Sequence, residues 1–222
     1  MRNACLHGIE QTGIVVILRG IPAEKLLPLG EALYRGGIRA MEVTYDARGI
    51  TQNEETARQI RLLAEGLAGR MFIGAGTVLT EAQVRLTKAA GGSFIVSPDT
   101  NPQVIRLTRQ LDMVSIPGAL TPTEIMEAHR AGADFVKLFP VTALGPGYIR
   151  AVAAPLSQVN FLAVGGMTLE TIPAYLQAGA CGIGIGANIV DKKLLDAEDW
   201  EGITCLARKY LEMVQAERIS KE

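Results

Sequence analysis

Short apolar runs rich in valine, isoleucine and phenylalanine alternate with longer amphipathic stretches along this chain. Runs of this kind are typical of strands buried on both faces, and amphipathic stretches are typical of the helices that connect parallel strands. Eight runs are predicted to be strands, at residues 14–19, 40–45, 72–78, 94–98, 113–118, 135–140, 161–166 and 182–187. The alternation predicts an α/β fold built on a parallel sheet.

Eight βα units in 222 residues lie at the short end of the size range of the TIM barrel, and right-handed crossovers would close them into a ring. A doubly wound open sheet is the structural alternative. No G-x-G-x-x-G fingerprint opens the first unit, which reads LRGIPAEK, and no Pro-, Gly- or Ser-rich linker divides the chain. We therefore predict one (β/α)8-barrel domain over residues 1–222, with a short amino-terminal helix.

Several residues mark where the helices of this barrel should begin and end. Thr80 precedes EAQVRL, and Pro122 stands near the start of another predicted helix, as expected at helix amino termini. Gly132 and Gly179 stand in small-residue segments just before predicted strands, where they suit the left-handed residue that ends a helix.

The charge and terminal sequence limit the partners and the location that we expect. A formal net charge of −1 provides no long-range field to attract nucleic acid, so none is expected as a partner. The amino-terminal residues MRNACLHGIEQTG contain no apolar signal region, and no window of about 18 uninterrupted apolar residues occurs. We expect a cytoplasmic protein that does not associate with a membrane.

Cysteine and histidine are too few and too scattered for a disulfide framework or a metal site. Cys5, Cys181 and Cys205 are an odd number without a C-x-x-C pair, which fits a reducing compartment. His7 precedes the first strand and His129 lies within a predicted helix, so neither occupies a strand end where a catalytic metal would bind. We expect neither a metal nor another cofactor.

Lys137 is the most informative polar residue, because chemistry in such barrels lies at the carboxyl ends of the strands. It stands in FVKLF, and strand alternation puts Phe135, Lys137 and Phe139 on one face. If that face lines the barrel interior, desolvation favours a neutral, nucleophilic amine. The alternative is a lysine whose stem is packed while its ammonium reaches water.

Glu42 presents the same argument with the opposite charge, since MEVT places one carboxylate between apolar residues. A buried carboxylate needs a partner, and the alternative to catalysis is a buried ion pair with Arg19 or Lys137. A glutamate facing a lysine would supply both an imine-forming amine and a proton shuttle.

Glycines end the last two predicted strands, as a pair in AVGGMT (163–168) and as alternate residues in GIGIGA (182–187). Many barrels bind phosphate at this place through backbone N–H groups and a helix amino terminus. Position makes these glycines candidates for phosphate binding, although glycine pairs are also common in turns.

Five segments together carry a specific resemblance. They are VVILRG (15–20), MEVT (41–44), IGAGTVL (73–79), FVKLFP (135–140) and FLAVGGMT (161–168). Through them the chain resembles the 2-keto-3-deoxy-6-phosphogluconate and 4-hydroxy-2-oxoglutarate aldolases over almost its whole length.

The resemblance implies a homotrimeric class I aldolase whose partner is a small, phosphorylated keto acid. It implies that Lys137 forms the Schiff base with the keto carbon and that Glu42 moves protons. It further implies that Thr77 binds the pyruvate carboxylate and that Arg19 binds substrate. The remaining implied substrate contacts are Gly165, Gly166 and Gly186 at the phosphate, together with Phe139 and Pro98.

Two positions depart from the family pattern. Some members carry a substrate-binding arginine two residues after the threonine of E-V-T, where this chain has Asp46, with Arg48 two positions on. Many members have a serine after the last phosphate-binding glycine, where this chain has Ala187. We therefore expect an altered carboxylate contact and weakened phosphate binding.

The sequence predicts cleavage of 2-keto-3-deoxy-6-phosphogluconate to pyruvate and glyceraldehyde 3-phosphate, and of 4-hydroxy-2-oxoglutarate to pyruvate and glyoxylate. One alternative is the same reaction on the galactonate epimer, which the ILRGI and ALGPGYI segments suggest. Others are a phosphosugar isomerase or epimerase, whose barrels share the phosphate site, and a non-catalytic phospho-ligand binder.

Overall fold

The computed structural model describes residues 1–219. The strands are β1 (Ile14–Leu18), β2 (Ala40–Thr44), β3 (Phe72–Gly76), β4 (Phe94–Val96), β5 (Val114–Ile116), β6 (Gly118–Ala119), β7 (Val136–Leu138), β8 (Phe161–Val164) and β9 (Gly182–Ile185). The helices are α1 (Arg2–Thr12), α2 (Ala23–Arg35), α3 (Asn53–Gly66), α4 (Glu81–Ala89), α5 (Pro102–Gln110), α6 (Pro122–Ala131), α7 (Pro146–Ala153), α8 (Ile172–Gln177), α9 (Lys192–Asp196) and α10 (Trp200–Ile219).

All strand pairs are parallel, in the order β5-β4-β3-β2-β1-β9-β8-β7-β6. Strands β5 and β6 are two parts of the predicted fifth strand, which Pro117 interrupts, so the prediction of one continuous strand was wrong. Strand β5 pairs with β4, whereas β6 pairs with β7. The ring therefore closes through Pro117, and the predicted (β/α)8 barrel is confirmed.

Most predicted strands run one or two residues past the observed ends. The first ends at Leu18 instead of Arg19, the third at Gly76 instead of Val78, and the fourth at Val96 instead of Pro98. The extra residues belong to the loops at the carboxyl end of the barrel, which is where several predicted site residues lie.

The helix boundaries follow the predicted signals. Thr80 forms a capping box with Gln83 at the start of α4, and Thr121 forms one with Glu124 at the start of α6. Gly132 ends α6 in a left-handed conformation with φ of 105°. No helix within residues 1–219 is long and apolar enough to cross a membrane.

Helix α1 is the predicted amino-terminal helix, and it covers the amino-terminal end of the barrel. Cys5 and Ile9 are buried in the apolar cluster that fills the barrel interior. The guanidinium of Arg2 donates to the Asp134 carboxylate at the start of β7, and Arg109 Nη1 donates to the same oxygen at 2.6 Å. Apolar packing and a shared ion pair together hold α1 as the floor of the barrel.

Candidate active site

The loops at the carboxyl end of the barrel surround a cavity of about 960 Å³. Lys137 also lines a small space in the barrel interior, and Glu42 lines that inner space without lining the cavity. The cavity brings together eight of the nine residues that the sequence predicts as site residues: Arg19, Thr77, Pro98, Lys137, Phe139, Gly165, Gly166 and Gly186.

Lys137 lies in the middle of β7 with its side chain inside the barrel, and only 8% of the residue is exposed. Its backbone N–H donates to the Pro117 carbonyl at 2.8 Å, which fixes the strand beside the break between β5 and β6. The Nζ atom lies 4.7 Å from the centre of the Phe139 ring. Phe135, on the same face, packs in the interior cluster. Lys137 therefore sits at the boundary between the dry interior and the open cavity.

Burial lowers the pKa of Lys137 below its ordinary value. The negative charge of Glu42 opposes this shift, and the positive charge of Arg19 adds to it. A lowered pKa increases the fraction of neutral amine near neutral pH, and only the neutral amine is a nucleophile.

Glu42 lies on β2 with 2% of the residue exposed. Burial raises its pKa to about 7, against the opposing charges of Lys137 and Arg19. Its Oε2 has no hydrogen-bond partner among residues 1–219, and the salt bridges of these residues do not include Glu42. A carboxyl group with this pKa can both give and take a proton at neutral pH.

Gly76 makes room for the Glu42 carboxylate, a function that the sequence analysis missed. A methyl group on Gly76 would lie 2.4 Å from Glu42 Oε1 and 2.7 Å from its Cδ. Strand β3 pairs with β2 so that Gly74 lies opposite Glu42 and Gly76 opposite Thr44. The sequence did contain a signal for this role, because a glycine stands on the predicted strand that follows the strand of Glu42.

Thr77 follows β3 in a left-handed conformation with φ of 57°, which is rare for a β-branched residue. Such a conformation costs about 1–3 kcal/mol and persists only where the surrounding structure imposes it. Thr77 and Arg19 both line the main cavity and an adjoining second cavity of about 680 Å³. Arg19 is exposed, and its charge affects the pKa of both Glu42 and Lys137.

The Asp46 side chain organises the loop after β2. Its Oδ1 accepts the N–H of Arg48 at 3.0 Å, and its Oδ2 accepts the N–H groups of Ile50 and Thr51 at 3.2 Å. These backbone hydrogen bonds lower the pKa of Asp46. Arg48 lines the second cavity and is absent from the lining of the main one, within the described chain. In this structure, Arg48 therefore faces the second cavity, which adjoins the main one.

The glycine end of the cavity is formed by the loops after β8 and β9. Gly165 and Gly166 have φ of 116° and 62°, and a methyl group on Gly166 would lie 2.8 Å from Thr142 Cγ2. Asn188 Nδ2 donates to the Met167 carbonyl at 2.7 Å and so ties the two loops together. The exposed, positive-φ backbone of this region leaves room for an anion close to the main chain.

The side chains offer no obvious metal centre. Across residues 1–219, no group of three or more His, Cys, Asp or Glu side chains is arranged as potential metal ligands.

The sequence relatives of the chain are aldolases. It is 33% identical over 214 residues to a 2-dehydro-3-deoxy-phosphogluconate aldolase of Haemophilus influenzae, covering 95% of this chain and 96% of the relative. It is 37% identical over 177 residues to a probable 2-dehydro-3-deoxy-6-phosphogalactonate aldolase of Rhizobium meliloti, covering 79% of this chain and 81% of the relative.

A solved structure extends this similarity to the fold. The KDPG aldolase of Legionella pneumophila, with pyruvate captured as a covalent carbinolamine intermediate, is 28% identical and superposes with a TM-score of 0.81. The similarity covers 91% of this chain and 96% of that structure. The family model described as KDPG and KHG aldolase matches residues 7–206. The chain therefore belongs to the KDPG and KHG aldolase family.

Proposed function

We propose that the chain cleaves 2-keto-3-deoxy-6-phosphogluconate to pyruvate and glyceraldehyde 3-phosphate through a Schiff base on Lys137, and that it also cleaves 4-hydroxy-2-oxoglutarate. The observation that carries the proposal is the pairing of two buried groups at the base of one cavity. Lys137 has a lowered pKa, and Glu42 has a pKa raised to about 7. Imine chemistry at neutral pH needs a neutral amine and a group that exchanges protons.

In the proposed mechanism, neutral Lys137 attacks the keto carbon, C2, and a proton moves from its nitrogen to the former carbonyl oxygen. Protonated Glu42 gives a proton to that hydroxyl, which leaves as water and produces the protonated imine, an iminium ion. Ionised Glu42 then accepts the proton of the C4 hydroxyl while the C3–C4 bond breaks. The bonding electrons move into the iminium group, so glyceraldehyde 3-phosphate leaves and an enamine remains. Protonation at C3 and hydrolysis with one water release pyruvate and regenerate the amine.

The other cavity residues suit the two ends of this substrate. Arg19 and Thr77 lie together on one wall, where they would bind the carboxylate next to the keto carbon. Gly165, Gly166 and Gly186 lie at the glycine end, where backbone N–H groups would bind the phosphate. Phe139 and Pro98 would contact the carbon chain between them.

The galactonate epimer is the second candidate substrate, since the relative from Rhizobium meliloti is a probable 2-dehydro-3-deoxy-6-phosphogalactonate aldolase. A lyase assay that measures pyruvate release from both phosphorylated epimers and from 4-hydroxy-2-oxoglutarate tests the proposal. The highest kcat/KM is expected with the gluconate epimer. Family membership favours a lyase over a phosphosugar isomerase or epimerase, and release of no pyruvate from any of the three would contradict the proposal.

We also propose that the protein is a cytoplasmic homotrimer acting in the Entner–Doudoroff pathway, as its resemblance to the family implies. Light scattering is expected to give three times the chain mass of 23.7 kDa. A mass of one or two chains would contradict the trimer.

Ala187 leads to a prediction about phosphate affinity. It is exposed at the glycine end of the cavity and supplies no hydroxyl. One neutral hydrogen bond contributes roughly 0.5 to 1.5 kcal/mol, or about a factor of two to thirteen in affinity. Ala187→Ser should therefore lower the KM for the phosphorylated substrate by a factor in that range. Cleavage of 4-hydroxy-2-oxoglutarate should stay almost unchanged, and equal effects on both substrates would show that residue 187 does not face the phosphate.

Gly76 leads to a prediction about the position of Glu42. Gly76→Ala should displace the carboxylate, and misplacing a catalytic group by about 1 Å costs roughly 100-fold in turnover. Asp is one methylene shorter than Glu, so it leaves space for the added methyl group. The fold-loss of turnover in the double variant Gly76→Ala with Glu42→Asp should therefore be smaller than the product of the two single fold-losses.

Gly147→Ala is the matched control, because a methyl group there meets nothing within 4 Å. The test of this steric role is to measure kcat for the wild type, both single variants, the double variant and the control. Near-normal turnover in Gly76→Ala, or an equal loss in the control, would argue against the steric role of Gly76.

A further inference from the structure

The lining of the main cavity includes a cation, Lys192, that lies outside the five segments of the family resemblance. Lys192 begins α9, and both Lys192 and Asp196 line the cavity, whereas Lys193 is absent from the lining formed by the described residues. Asp191 fixes this segment, since its Oδ1 accepts the N–H groups of Lys193 at 2.8 Å and Leu194 at 3.0 Å. The fold therefore presents Lys192 and Asp196 to the cavity on one side of a short, capped helix.

The main cavity is lined by few charged side chains, so each of them can be considered as a contact for one part of the substrate. Among the described lining residues, the cationic ones are Arg19, Lys137 and Lys192, and the single anionic one is Asp196. Lys137 is used in the imine, and Arg19 lies near enough to Glu42 and Lys137 to affect the pKa of both. Both of these side chains therefore lie where the reacting end of the substrate, with its keto group and carboxylate, would bind. Among the described lining residues, Lys192 is the remaining cation that could bind a dianion at the other end of the substrate.

Lys192 at present pairs with Asp196, and this pair is easily exchanged. Its Nζ lies 2.5 Å from Asp196 Oδ2, with side-chain exposures of 84% and 60%. An exposed pair at spacing i,i+4 contributes little, because water screens both charges. A phosphate dianion carries about twice the charge of the Asp196 carboxylate and offers three acceptor oxygens, so it competes effectively for the Lys192 ammonium. Lys192 can therefore leave Asp196 for a phosphate at small cost.

Asp196 has a second effect on a bound anion. Hydrogen bonding to Lys192 and the positive charge of Lys25 keep the pKa of Asp196 low, so it is ionised at neutral pH. Lys25 itself contacts the Leu195 carbonyl at 3.1 Å and Glu198 at 3.5 Å. An ionised carboxylate on the cavity wall both competes for Lys192 and repels a phosphate dianion.

We propose that Lys192 binds the phosphate of the substrate, and that Asp196 competes with this phosphate for Lys192 and so limits the preference for phosphorylated substrates. This inference rests on the proposed function, because it assigns one end of that substrate. It gives the chain a cationic phosphate contact in addition to the backbone glycines, at a site where Ala187 supplies no hydroxyl.

The test compares the wild type with Lys192→Gln, Asp196→Asn and the matched control Lys193→Gln. The KM for phosphorylated substrate should rise roughly 10-fold or more in Lys192→Gln, since a hydrogen bond to a charged group is lost. It should fall about two-fold in Asp196→Asn, because the exposed pair is weak, and stay constant in Lys193→Gln. In Lys192→Gln the kcat for phosphorylated substrate should change less than the KM, and in Lys193→Gln it should be unchanged. All constants for 4-hydroxy-2-oxoglutarate, which has no phosphate, should be unchanged in the three variants. Equal effects of the two lysine replacements, or equal effects on the two substrates, overturn the proposal.

Calorimetric titration with inorganic phosphate separates this inference from the proposed function, because it requires no catalysis. Binding that weakens in Lys192→Gln, strengthens in Asp196→Asn and persists in Lys193→Gln supports the assignment even if the substrates are not cleaved. Absence of phosphate binding by the wild type, or unchanged binding by Lys192→Gln, overturns it. Raising the salt concentration should reduce the difference between wild type and Lys192→Gln.

Discussion

Borohydride reduction in the presence of pyruvate is expected to modify Lys137 and no other lysine, and Lys137→Met is expected to abolish both this adduct and substrate cleavage. Reduction by borohydride traps an imine as a stable amine, and the imine requires the neutral amine that burial favours at this position. Methionine has a similar length but no nucleophile. Mass mapping of the peptide that contains FVKLFP identifies the modified residue.

The fold of Lys137→Met should remain intact, because replacing a desolvated amine by an apolar side chain relieves a burial cost. Its midpoint of thermal unfolding should equal or exceed that of the wild type. Lys209→Met, which changes an exposed lysine of α10, serves as the control and should keep full labelling and activity. An adduct on another lysine, or pyruvate trapping by Lys137→Met, would refute the Schiff-base assignment.

Glu42→Gln is expected to lower turnover by roughly 100-fold or more, because it removes the group proposed to exchange protons while preserving its shape. Pyruvate binding should change less than turnover. The wild-type pH–rate profile should bend near pH 7, where Glu42 titrates, and this bend should be absent in the variant. Turnover near the wild-type value would mean that Glu42 serves only as the counter-charge of Lys137.

The pH dependence of stability provides an independent check on Glu42. Its pKa rises from 4.5 to about 7 on folding, so the native state binds more protons than the unfolded state between these values. The free energy of unfolding should therefore fall as the pH rises from 4.5 through 7, by roughly 3 kcal/mol for a shift of this size. Glu42→Gln should lack this loss, so it should be more stable than wild type at pH 8 and similar to it below pH 4.5.

The strands could be predicted because burial on both faces leaves continuous apolar runs in the sequence. For the same reason, Lys137 and Glu42 stood out as charged residues within such runs. The break at Pro117 could have been anticipated, since proline lacks the N–H that a central strand donates. It was missed because the run on both sides of Pro117 is apolar.

The contacts of single side chains could not be predicted, because they depend on the register between strands and on the course of the loops. The steric role of Gly76 depends on its distance from Glu42, which is fixed by the pairing of β2 and β3. The hydrogen bonds of Asp46 direct Arg48 to a second cavity. Lys192 belongs to a helix of five residues, which is too short to show a periodic pattern of apolar residues in the sequence.

The floor formed by α1 has a consequence for synthesis on the ribosome. Arg2 and its partner Asp134 are 132 positions apart, so α1 lacks its complete docking site until more than half of the barrel has been made. Cys5 and Ile9, which are fully covered in the finished barrel, remain in water during that interval. An exposed apolar face of this kind is what chaperones bind on nascent chains. Helix α1 is therefore synthesised well before the strands whose ends it covers.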